Sequence, residues 1–228
     1  MKIWRKIIKT LAGIFSLVGI IGFGQVLIQV FHQAIKQSTD FLIFLLGILT
    51  FTAIWFFYLI RRGNFWSTLE HELTHALFAT LFLKRIHSIS ASRKRGGVIA
   101  MEGGNSIIAL SPYFFPLAAV IVLIIKFLAP IQLNIYFIFL LGVSYQFHLI
   151  NLIREFHVGQ SDIRASGYLF STLFICFCNL LFWGLILVGI SGSWRQLFFF
   201  LKDGFNATLH YFRLLYDFIY QQIIQTRA

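Results

Sequence analysis

Apolar residues run almost unbroken from Leu11 to Phe31, Phe41 to Ile60, Ile107 to Leu128, Ile131 to Ile153 and Ala165 to Ile190. Each run is close to the ~20 residues that carry a helix through a hydrocarbon core, so each is read as a membrane helix. Phe65 to Leu83 is a sixth helical stretch, and it differs in holding a dense polar cluster, Glu70-His71-Glu72 and Thr74-His75. Between Ile86 and Asn105 the period changes. Ile86, Ser88 and Ser90, then Val98 and Ala100, alternate around a basic turn at Arg93-Lys94-Arg95, with glycine pairs at 96–97 and 103–104. That pattern predicts a short β-hairpin. Pro112 and Pro116 fall in the first turns of the run from Ile107, and Pro130 ends it.

The predicted fold is therefore an α-helical integral membrane protein. It has about six membrane helices and a membrane-associated β-hairpin after the polar helix. Residues 1–193 form the polytopic domain, with its core at 65–167. Residues 194–228 mix aromatics with Arg195, Lys202, Arg213 and Arg227 and are read as an interfacial amphipathic tail. The basic start, MKIWRKIIK, leads into an apolar stretch too long for a signal peptide, so the first helix is expected to stay in place.

Composition agrees with this reading: 58% of the 228 residues are hydrophobic and 12% charged. A soluble domain carries about a quarter charged residues, so this chain calls for an apolar solvent, the lipid bilayer. The net charge of +11 sits in short clusters between apolar runs, Lys2/Arg5/Lys6/Lys9, Arg61/Arg62 and Lys84/Arg85 among them. Such clusters set topology and meet lipid headgroups, and no basic-aromatic module is left over for nucleic acid. Cys176 and Cys178 are two apart on one apolar run, where they point apart and serve as small apolar filler.

His71-Glu72-Leu73-Thr74-His75 has the form H-E-x-x-H. On a helix, residues four apart share a face one turn apart, so both imidazoles can reach one tetrahedral metal. Glu72 flanks that metal, placed to take a proton from its water. With 7 His and 4 Glu in the chain, roughly 0.004 chance matches are expected. Ionisable groups in apolar segments are also costly and point to function. A catalytic zinc site needs a third protein ligand and an open position. Spacing leaves Asp162, Glu155, His157 and Glu102 all open for that role.

HELTHALFATLF, the glycine-containing hairpin and the later QSDI together resemble the site-2 protease family of intramembrane zinc metallopeptidases. The resemblance covers about Phe65 to Gly167. It implies Zn2+ bound by His71, His75 and Asp162, with Glu72 catalytic. The chain has Ile163 where the family usually has glycine after the aspartate, and no proline between Asn151 and Asp162. The resemblance also implies a sheet edge that receives substrate as an added strand, and Asn151 as a substrate-binding residue.

The expected activity is hydrolysis of peptide bonds in membrane proteins or membrane-proximal peptides. One alternative is a metallopeptidase whose third ligand is a glutamate on a later helix, here Glu155. Another is a non-proteolytic scaffold or transporter-like protein that keeps a metal site. The expected location is the cell membrane, the inner one in a bacterium, with the N-terminus in the cytoplasm. Basic residues on both sides of the H-E-x-x-H helix predict that it enters the membrane and returns without crossing.

Overall fold

A chain in hydrocarbon must satisfy its backbone groups internally, and the long apolar runs do so as helices. The computed structural model describes residues 2–36, 38–60, 65–92, 96–157 and 159–225. Helix α1 spans Lys2–Lys36, and α2 (Ser38–Ile54) continues into a π-helical turn at Trp55–Leu59. The polar cluster lies on α3 (Phe65–Leu81), followed by strands β1 (Ile86–Ser92) and β2 (Gly96–Met101). Helices α4 (Ser106–Phe114), α5 (Leu117–Leu128), α6 (Asn134–Glu155), α7 (Ser161–Ser166), α8 (Tyr168–Ser191) and α9 (Trp194–Gln225) complete the chain. The basic pairs and turns at Arg61/Arg62 and Arg93–Arg95, which carry the orientation argument, lie outside the described residues.

Among the described residues, four helical stretches are long and apolar enough to cross a membrane: Lys6–Lys36, Thr39–Leu59, Ile131–Glu155 and Tyr168–Ser191. The second has mean hydropathy 2.3, yet only 11% of its most apolar stretch is buried within the protein. A helix that apolar, with that little protein around it, needs an apolar surrounding of another kind. Helix α3 is not among the four.

The run from Ile107 to Leu128, expected as one span, is broken. Its halves, α4 and α5, are bent by 70°, so it counts as a fifth span only if the bent pair is taken together. Pro116 is the cause. A residue before proline is pushed out of the helical region, and Phe115 is extended at φ −100° and ψ 106°. Pro116 also has no N–H with which to continue the ladder.

The chain divides into two compact units, residues 37–171 and residues 1–36 with 172–228. In the first unit, α2 and α6 approach backbone to backbone. Gly47 lies against the Phe139 carbonyl and Gly142 against the Phe44 carbonyl. A side chain at either place would meet the facing helix, which is how small residues hold membrane helices together. Helix α3 is packed by β1, β2 and α4, and α7 packs on α4.

The hairpin runs antiparallel from Ile86↔Met101 to Ser92↔Gly96, with an irregularity between Ile86 and Ser88. In the second unit, α9 packs on α1. Thr208 sits against Gly22, and Phe23 lies edge-on to both Phe177 and Phe200. The expected tail is thus one helix held on the first helix of the chain.

Candidate metal centre

The two histidines of α3 are fixed from their outer nitrogens. Nδ1 of His71 donates to Oε2 of Glu155 at 2.7 Å, and Glu155 Oε1 accepts from the Ser67 hydroxyl at 2.8 Å. Nδ1 of His75 donates to the Ile108 carbonyl at 2.8 Å. That carbonyl is available for a reason written in the sequence. In α4 its helical partner would be the N–H of residue 112, which is Pro112 and has none. The freed oxygen accepts from His75 and from the Ser111 hydroxyl.

Both partners of the Nδ1 atoms are acceptors, so each neutral ring carries its hydrogen there and turns a bare Nε2 lone pair inward. The two Nε2 atoms stand 3.1 Å apart. Two lone pairs at that separation repel unless a cation lies between them, a proton or a metal. Asp162, in the first turn of α7, brings Oδ2 to 3.8 Å from His75 Nε2 and 4.0 Å from His71 Nε2. Bond lengths of ~2.0–2.1 Å in a tetrahedral zinc site put ligand atoms about 3.3–3.4 Å apart. One ligand atom from each of the three residues lies within 4.8 Å of the other two, so the group could hold a metal ion. Held outer nitrogens are the usual companions of histidine ligands.

Tyr113, fully buried on α4, turns its ring edge-on to His71 at 5.5 Å and its hydroxyl to Asp162 Oδ2 at 3.4 Å. Helix α4 therefore supplies two supports, one for each side of the cluster. Burial, with His71 close by, holds His75 below the ordinary histidine range; burial acts on His71 in the same direction, but its bond to the Glu155 carboxylate carries it above that range. Glu72 is 6% exposed and lies against β2 at Gly97. Burial pushes its carboxyl up, with the charge of His71 acting the other way.

The remaining sequence candidates go elsewhere. Glu155 meets the outer nitrogen of His71, away from the point where the two Nε2 atoms face each other. His157 is exposed and accepts from the Gly159 N–H in its own loop. Glu102 is 3.8 Å from His87, on the hairpin. Asn151 donates through Nδ2 to Glu70 Oε2 at 3.3 Å, and its Oδ1 is buried with no hydrogen-bond partner among the described residues. Its amide hydrogen is thus engaged within the protein.

Glu70 also accepts from the Ala118 N–H at 3.3 Å, tying α3 to α5 and α6, and burial pushes its pKa up to about 7. Sequence reading missed the roles of Ser67, Glu70 and Tyr113. Pro112 was the one local signal that pointed to Ile108.

This chain matches no protein-family model, no curated protein and no solved structure. What fold and site define is a helical chain with apolar helices of membrane-crossing length and a His71–His75–Asp162 group that could hold a metal.

Proposed function

We propose that this chain is a membrane-embedded zinc metalloendopeptidase that cleaves membrane proteins or membrane-proximal peptides. The observation that carries the reading is the facing pair of Nε2 atoms at 3.1 Å, with Asp162 Oδ2 3.8 and 4.0 Å from them. Zinc held by His71, His75 and Asp162, with a fourth position open, would supply a Lewis acid that lowers the pKa of water toward about 7.

The chain's own residues have separable tasks. Glu155, braced by Ser67, and the Ile108 carbonyl keep both imidazoles in the tautomer that offers Nε2. Glu72 takes a proton from the water as its oxygen bonds to the peptide carbonyl carbon. It then returns that proton to the departing amine nitrogen as the C–N bond breaks. A helical substrate hides its peptide bonds and must unwind. The hairpin, two-stranded among the described residues, has outer edges that suit an added strand.

The test is zinc per chain in detergent-purified protein. About one equivalent in the wild type, lost in His71→Ala and in Asp162→Ala, supports the ligand set. Glu72→Gln should then keep zinc and lose peptidase activity. A wild type without zinc removes this reading and leaves the membrane scaffold in its place. Bound zinc with no effect of Glu72→Gln would do the same.

A further inference from the structure

Gly97 is the second residue of β2, and a glycine within a strand weakens pairing and has no side chain to pack. Its backbone does not need one either, because its φ is outside the left-handed range and it forms an ordinary ladder pair with Ala91. The reason lies across the strand. A Cβ added at Gly97 would stand 2.7 Å from Cδ of Glu72 and closer still to Cγ and Oε1. Carbon atoms do not approach that closely, so either the carboxylate or the strand would have to move. Glu72 is accordingly almost fully buried, while the Asp162 side chain beside it keeps 29% of its surface. Strand β2 covers the glutamate at Gly97.

We infer that Gly97 is a positioning residue for Glu72: strand β2 lies on the carboxylate with room for no side chain and holds it beside the metal-binding group. A glutamate on a free helix face moves among several rotamers. Here the strand backbone limits that movement, and any side chain at 97 takes the place of the carboxylate. The inference rests on the peptidase reading for its consequence, since a held Glu72 matters most as a proton carrier. The contact itself does not depend on that reading.

Two measurements on the full chain in detergent test it. The first is the visible absorption spectrum with cobalt(II) added in place of zinc. Gly97→Ala should bind as much cobalt as the wild type, because none of the three ligands is touched. Its spectrum should change as that of Glu72→Gln does. Val98→Ala, at an exposed neighbouring position, should leave the spectrum unchanged. The second is the thermal midpoint. Gly97→Ala should lower it, Gly97→Ala with Glu72→Ala should recover most of the loss, and Gly97→Ala with Glu72→Gln should not, since glutamine fills the same volume.

Cobalt bound with a wild-type spectrum in Gly97→Ala overturns the positioning role and leaves the peptidase reading standing. Failure of Glu72→Ala to restore the thermal midpoint overturns the contact, even if Gly97→Ala folds too poorly for spectroscopy. A wild type that binds neither cobalt nor zinc removes the peptidase reading and the positioning role with it. Recovery of the thermal midpoint would then establish Gly97 as a packing contact alone.

Discussion

Glu155 and Asp162 are both carboxylates near the histidines, and they reach different atoms. Asp162 faces the Nε2 atoms, whereas Glu155 holds the Nδ1 of His71. On the proposed reading, removing the Asp162 carboxylate and removing that of Glu155 should therefore differ in kind. Asp162→Ala is expected to lose zinc outright. Glu155→Gln should keep a full equivalent at high free zinc while its affinity falls about 10–100-fold, the usual cost of losing a histidine's outer partner. Competition with a graded series of chelators measures this. Equal loss in both variants would make Glu155 a ligand.

Of this residue-scale picture, the two histidines and Glu72 were legible because a 3.6-residue period places i and i+4 together whatever surrounds them. The Glu155 pairing was not, since its partner is 84 residues away in sequence.

Among the elements, α4 shows how a breaker serves a site. Pro112 costs α4 a hydrogen bond and leaves the Ile108 carbonyl to His75. Pro112→Ala restores the N–H, which then competes with the imidazole. The expected result has two opposite signs: a higher thermal midpoint from the mended helix, and zinc affinity several-fold to about tenfold lower. Affinity at the wild-type level would mean that the carbonyl accepts from both.

The α2–α6 pair carries a simpler prediction. Gly142→Leu puts a large side chain where the Phe44 carbonyl already lies, and should lower stability by about 1–3 kcal/mol or separate the pair. A denaturant titration in detergent would read it, and an unchanged midpoint would mean the helices do not meet as described. The hairpin was legible from its alternation and glycine pairs. The 70° break was hidden because proline is tolerated in a first turn, and Pro116 was read as lying in one.

For the molecule as a whole, the question is which side of the membrane the chemistry faces. From its basic flanks the Asp162 loop is expected on the cytoplasmic side, and the hairpin shares α3 with the same cluster. Cysteines introduced at Ser88 and at His157, both exposed, should therefore react with an impermeant thiol reagent only when the cytoplasmic side is opened. Labelling of the Ser88 cysteine from the outside would mean that α3 crosses fully.

What the sequence determined by itself is what local physics decides. Apolar runs of membrane length become helices because the backbone must bond internally, and H-E-x-x-H shares a helix face because of helix pitch. What the tertiary structure decided is which distant groups meet these: Asp162 through α7 on α4, Glu155 from the end of α6, Tyr113 and the Ile108 carbonyl from α4, and Gly97 from β2. Spacing along the chain could not choose among four candidate ligands, because their loops could close in many ways at similar entropic cost. Packing of specific helix faces selects one of those closures, and with it the atoms that each carboxylate meets.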